Sequence, residues 1–254
     1  MKNYTDYSTV SKCPICRDSG WELVTDENGN EYARECKCGI RARQIQEGKL
    51  KFAAIPETYK NVSLRDMTLR YYDKPESKET FREAAQLVID YLGNLDENIE
   101  AGRGIYFWSV TKGSGKTMLA AALANELINK YGRYVKFATS LDILDEIRAT
   151  YNRDSDENES DLLQALVSTD FLIIDDFGTE RASDWAGEKF YQIVNKRYIN
   201  KKVTFYTSNY DLKTLKYDDR ITNRMKERTY LVHFPEESVR EFIARSQNKV
   251  GGKK

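Results

Sequence analysis

Five short apolar runs punctuate the chain, at 105–110, 134–139, 171–176, 203–209 and 229–234. Runs of this length and composition predict buried strands. Between them lie helical patterns at 116–130, 141–151, 183–199 and 218–227, with a shorter one near 162–167. Leu119, Leu123 and Leu127 fall on one stripe of the first of these, as a core-facing helix requires. A further helix is predicted over 78–92, with Phe81, Ala84, Ala85, Val88 and Leu92 on one face. Strands alternating with helices predict an α/β fold, a five-stranded parallel sheet between helices. The pattern differs nearer the N-terminus. Residues 1–50 read as a separate small module in which 20–24 and 32–34 flank an Asn28-Gly29 hairpin turn. Residues 51–75 carry Ile55-Pro56 and Lys74-Pro75 among polar residues and read as a loosely packed linker, leaving 76–254 as the main domain.

The first strand runs into Gly113-Ser114-Gly115-Lys116-Thr117. A strand, a glycine loop and a helix in succession point backbone N–H groups and a helix N-terminus at a polyphosphate. Lys116 would reach the β- and γ-phosphates, and the Thr117 hydroxyl would ligate Mg²⁺. A lysine-bearing surface turn is the alternative, and the apolar strand before and the alanine-leucine helix after argue against it. One position departs from G-x-x-x-x-G-K-[ST]: Val110 stands where the first glycine belongs. Downstream, Phe171-Leu172-Ile173-Ile174-Asp175-Asp176 ends an apolar strand in paired carboxylates. Asp175 suits Mg²⁺ or its water shell, and Asp176 suits polarising the water that attacks the γ-phosphate. Asn209 ends the Thr207-Ser208-Asn209 strand tip, where it could bond the γ-phosphate or the attacking water.

The four cysteines stand as Cys13-Pro-Ile-Cys16 and Cys36-Lys-Cys38. Two close pairs separated by a strand-like stretch can converge on one tetrahedral Zn²⁺ with no open ligand position, a structural site. Two disulfides would need an oxidising compartment that nothing else in the chain supports. Lys and Arg total 40, as do Asp and Glu, which argues against a broad nucleic-acid-coating surface but leaves room for a local groove. The acidic block 153–161 reads as a solvated loop. No run approaches the ~20 apolar residues of a membrane span, and the polar start has no signal-peptide core, so a cytoplasmic protein with no membrane partner is expected.

Taken together, Gly-Ser-Gly-Lys-Thr, Leu-Ile-Ile-Asp-Asp-Phe-Gly-Thr-Glu, Thr-Ser-Asn and Arg220-Ile-Thr-Asn-Arg224-Met resemble the AAA+ ATPases of the bacterial replicative helicase loader group, the DnaC/DnaI type, over about 55–245. The cysteine module resembles those fused to Gram-positive and phage versions. The resemblance implies an AAA+ core that binds and slowly hydrolyses ATP. It implies sensor roles for Asn209 and Arg240 and an arginine finger at Arg224, with Arg220 as its helper. A finger reaching a neighbour's site implies head-to-tail oligomers. It also implies a replicative helicase as partner, docked through the zinc module, and single-stranded DNA contacted by Tyr151, Ser183 and Trp185. Tyr151 shares a helical face with Leu144 and Ile147, so a core position is the alternative for that residue. The related transposase-helper ATPases share the core, and a nucleotide-responsive adaptor without DNA binding is a third reading.

Overall fold

The computed structural model describes residues 13–151, 157–180 and 183–248. Its contacts divide the chain into two units, Met1–Lys51 and Phe52–Lys254.

In the first unit, strands β1 (Trp21–Thr25) and β2 (Glu31–Glu35) pair antiparallel, with Val24 opposite Tyr32. The turn is the one expected at Asn28-Gly29. Gly29 takes φ +84°, and the Asp26 carboxylate accepts from the amides of Asn28 (2.9 Å) and Asn30 (2.8 Å). Helix α1 (Ile40–Ala53) follows. The unit's buried cluster is small, consisting of Cys13, Cys16, Cys36 and Ile40.

The second unit is built on a parallel sheet. Its strands are β3 (Gly104–Trp108), β4 (Val135–Thr139), β5 (Phe171–Asp175), β6 (Val203–Ser208) and β7 (Thr229–His233). Their spatial order is β4-β5-β6-β3-β7. Every residue of β5 and β6 is buried, as a sheet covered on both faces demands. Alternate residues serve opposite faces. Leu172, Ile174 and Tyr206 join the cluster under α5 (Ser140–Thr150), α6 (Glu157–Ser168), α7 (Asp184–Ile199) and α8 (Asp219–Arg228). Phe171 stacks on Phe205, which meets Tyr91 of α2 (Pro75–Gly93) edge-on. Helix α4 (Lys116–Asn129) packs across β4, β5 and β6. Short α3 (Leu95–Glu100) leads into β3, and α9 (Val239–Asn248) closes the described chain. No helix among the described residues is long and apolar enough to cross a membrane.

Two expectations are corrected. The stretch 51–75 is not a loose linker: it folds into three 3₁₀ turns, Glu57–Tyr59, Leu64–Asp66 and Leu69–Tyr71, on the second unit. Asn125 of α4, 4% exposed, donates to the carbonyls of Tyr59 (3.0 Å) and Val62 (2.8 Å). Tyr72 is buried and donates to the Ser114 carbonyl at 2.8 Å. Docking through backbone carbonyls and one aromatic leaves no hydrophobic period to read. The acidic block 153–161 lies outside the described residues as far as 156, and from Glu157 it is helix α6 rather than loop. Leu162, Leu163, Leu166 and Val167 bury one side of that helix, so its acidic first turn is the start of an amphipathic element.

Candidate nucleotide-binding site

The loop 109–115 connects β3 to α4, and its shape depends on two left-handed residues. Gly113 takes φ +78° and Gly115 φ +105°, conformations that favour glycine. A Cβ on Gly113 would stand 3.1 Å from the Arg240 and Ser238 side chains; one on Gly115 would stand 3.3 Å from Phe234 and Tyr72. Val110 is absent from the positive-φ positions, so the backbone there accepts a β-branched residue, and its side chain is 66% exposed.

Lys116 folds its ammonium back into the loop, donating to the carbonyls of Ser109 and Thr111 (3.1 Å each) and to Ser114 Oγ (3.3 Å). Burial pulls it down to about 8, against the pull of Asp176, Glu236 and Asp175, while Arg240 adds to the lowering. Asp175 is buried at the end of β5, and one of its oxygens accepts from both Thr117 Oγ1 (2.9 Å) and Thr207 Oγ1 (2.5 Å). Burial raises its pKa, and those two hydroxyls oppose the rise. Asp176 turns the chain out of the strand with φ +52°, its N–H bonded to Thr207 Oγ1 (2.9 Å) and its carbonyl to Ser140 Oγ (3.1 Å). A non-glycine residue held there is strained, and aspartate is among the residues that tolerate it.

These elements enclose a cavity of about 470 Å³ at the C-terminal ends of the strands. Gly113, Ser114, Gly115, Lys116, Thr117, Asp176, Asn209 and Arg240 all line it, so the structure brings together eight of the residues singled out in the sequence. Its size and its place outside the carboxyl ends of a parallel sheet suit a small ligand. The amides of the loop and the α4 N-terminus fit a polyphosphate, and the adjacent oxygens of Thr117 and Asp175 fit Mg²⁺. Thr58, Tyr59, Val62, Lys112, Met118, Val239 and Ile243 line the remainder.

Other predicted residues lie elsewhere. Arg224 does not line this cavity. On α8 it donates to the Arg220 carbonyl (2.6 Å) and lies over the rings of Tyr191 (5.3 Å) and Tyr198 (5.6 Å). Arg220 pairs with Asp218 at 3.0 Å. Tyr151 caps the C-terminus of α5 and is 54% exposed, which removes the core alternative. Its ring is 6.5 Å from that of Trp185, over which Arg148 lies at 4.6 Å. Ser183 caps α7, its hydroxyl accepting from the Ala186 amide. In the first unit the ligand atoms of Cys13, Cys16, Cys36 and Cys38 lie within 4.8 Å of one another, with Sγ–Sγ distances of 3.8 Å (Cys13–Cys36) and 3.6 Å (Cys16–Cys38). A tetrahedral zinc with Zn–S of about 2.3 Å requires sulfurs about 3.8 Å apart. The cluster fits the ion. Backbone amides of Cys16 and Ile15 draw the Cys13 thiol down to about 7. Cys36 goes up to about 12, because burial and the neighbouring thiols outweigh the Cys38 amide.

Three contributors escaped the sequence reading. In the sequence Thr207 is only part of a polar strand tip, yet in the fold it joins Asp175 to Asp176. Tyr72 and Glu236 both touch the loop from far along the chain, and no sequence pattern marks either.

Residues 82–240 match the IstB-like ATP binding protein family. The chain belongs to that family. The IstB-like chain is 30% identical to the replicative helicase loader DnaC of Buchnera aphidicola subsp. Baizongia pistaciae, over 89% of its own length and 91% of that protein. It is 32% identical to DnaC of Escherichia coli K12 over 56% of its length and 55% of the relative. The crystal structure of the DnaC helicase loader superimposes with TM-score 0.60 at 24% identity, covering 70% of this chain and 99% of that one. The IstB-like fold is thus the AAA+ type, an ATP-binding α/β core.

Proposed function

We propose that the chain is an ATP-dependent loader that binds a replicative ring helicase and delivers it onto single-stranded DNA. The observation that carries this reading is the single cavity in which the phosphate loop, Asp176, Asn209 and Arg240 converge, in a chain similar over nearly its whole length to a replicative helicase loader. Gly113 to Thr117 would hold the β- and γ-phosphates, and Thr117 with Asp175 would hold Mg²⁺, which neutralises phosphate charge when bound. Asp176 would polarise the attacking water, and Asn209 and Arg240, which line the same cavity, would sense the terminal phosphate. Arg224, remote from its own cavity, acts on a neighbour's site in head-to-tail oligomers. Tyr151, Ser183 and Trp185 form the DNA-facing patch, the two aromatics stacking on bases without reading sequence. The module 1–50, held by zinc, docks the helicase. The alternative as a transposase helper receives less support, since the similar proteins named above are helicase loaders and the chain adds a four-cysteine cluster.

The test is ATP-dependent transfer of a replicative ring helicase to circular single-stranded DNA. Wild type is expected to promote transfer and Lys116→Ala to fail. Tyr151→Ala and Trp185→Ala should bind single strands about tenfold more weakly, since each stacked base contributes ~1–3 kcal/mol. Equal transfer by wild type and Lys116→Ala, or no transfer by either, overturns the reading.

A further inference from the structure

Where the loop departs from the usual pattern, a carboxylate from elsewhere takes hold of it. Glu236 follows β7, and its two oxygens accept from two successive amides of the loop's entry arm, Val110 N–H at 3.1 Å and Thr111 N–H at 2.9 Å. Ser109 Oγ donates to the same carboxylate at 3.1 Å, and His233 Nε2 lies 2.9 Å from it. Although burial works the other way, these donors hold Glu236 below the usual glutamate range. Two successive amides turned toward one carboxylate, each to its own oxygen, make an anion-binding concavity. Here the chain's own carboxylate fills it. The mostly exposed Val110 side chain offers little packing, so these amide bonds steer the chain as it leaves β3.

The neighbouring glutamate has a different target. Glu237 accepts from Asp73 N–H (2.8 Å) and Lys74 N–H (3.2 Å) at the entry to α2. Two residues on, Val239 N–H donates to the Gly113 carbonyl at 2.9 Å, beside Arg240. The turn 235–239 therefore grips the loop at both its entry arm and its first left-handed glycine.

Building on the nucleotide reading of the cavity, we propose that Glu236 is a positioning residue for nucleotide binding. Its paired oxygens fix residues 109–111 so that the amides of 113–117 stand preset for the β-phosphate. Glu236 acts through the loop and never on the phosphate. ADP and ATP should therefore depend on it alike, unlike a residue that meets only the γ-phosphate.

The experiment measures Mg-ADP and Mg-ATP affinity of the full-length protein by calorimetry, with hydrogen exchange of the 109–112 peptide in the nucleotide-free state. Glu236→Gln keeps the shape but turns one acceptor into a donor facing an amide. It should weaken both nucleotides about tenfold and speed exchange at 110–111. Glu236→Ala should lose at least as much. Glu237→Gln, which frees the amides of 73 and 74 instead, should stay within about twofold of wild type. Affinity unchanged in Glu236→Gln, a loss confined to ATP, or an equal loss in Glu237→Gln overturns the proposal. A wild type that binds neither nucleotide would sink the nucleotide reading itself, whereas a binding wild type with an indifferent Glu236→Gln sinks only this inference.

Discussion

Asn125→Asp isolates how the segment before α2 reaches the nucleotide cavity. Asn125 is buried on α4, and its Nδ2 supplies both bonds that tie the Tyr59 and Val62 carbonyls to the core. Aspartate has nearly the same volume, so the substitution leaves the packing alone but replaces a double donor by a carboxylate, which when ionised offers the two carbonyls only acceptors and is itself costly to bury. Each bond contributes about 1 kcal/mol net; the Tyr59 carbonyl keeps the Val62 amide at 3.1 Å, whereas the Val62 carbonyl, left without the Asn125 donor, costs a further ~1–3 kcal/mol. Relaxation of the 3₁₀ turn toward water recovers part of that. A loss of roughly 2–4 kcal/mol remains, felt first in local opening of 57–62. At 2 kcal/mol the open fraction rises about thirtyfold. Thr58, Tyr59 and Val62 line the cavity, so nucleotide affinity should fall with it. Hydrogen exchange of peptides across 55–66, with and without Mg-ADP, reads both effects. If Asn125→Asp leaves exchange in that segment unchanged, the two bonds do not hold it and the argument fails.

Thr207→Val removes the hydroxyl joining Asp175 to Asp176 and leaves the Asp176 amide without its acceptor. It should cost about 2 kcal/mol of stability in denaturant titration and slow ATP turnover more than tenfold, with turnover unchanged counting against it. Lys116, at about 8 in the nucleotide-free protein, should be raised by bound phosphate. Below that pH the ammonium is charged in both states; above it binding takes up a proton, so affinity falls as pH rises, and calorimetry at pH ~8.5–9 in two buffers should detect the uptake. In the same window, up to its unfolded pKa of about 10.4, this lysine makes the nucleotide-free fold more stable with rising pH, because the unfolded chain holds the proton. Cys13→Ser or Cys38→Ser should release one equivalent of zinc while the second unit still binds nucleotide. Metal analysis finding no zinc in the wild type would remove the ion.

Much of this protein is local in origin and could be read from the chain alone. Fully buried parallel strands are continuous apolar runs, so all five appeared within about two residues of their observed ends. Gly113 and Gly115 shape the loop through backbone conformation and Lys116 bonds within it, which is why their spacing was enough. The cysteine pairs were legible as one cluster because two close pairs have the spacing that suits a single tetrahedral site. What depended on tertiary structure was every contact between residues far apart in sequence. Tyr72 reaches Ser114, Asn125 holds Tyr59 and Val62, and Glu236 grips Val110 and Thr111. Each of these bonds uses a backbone carbonyl or amide on one side, a group every residue carries, so no side-chain pattern marks the partner. The same reason explains Val110. Its misfit to the glycine pattern was visible in the chain, but only the folded loop shows a backbone without positive φ and a distant carboxylate holding it in place.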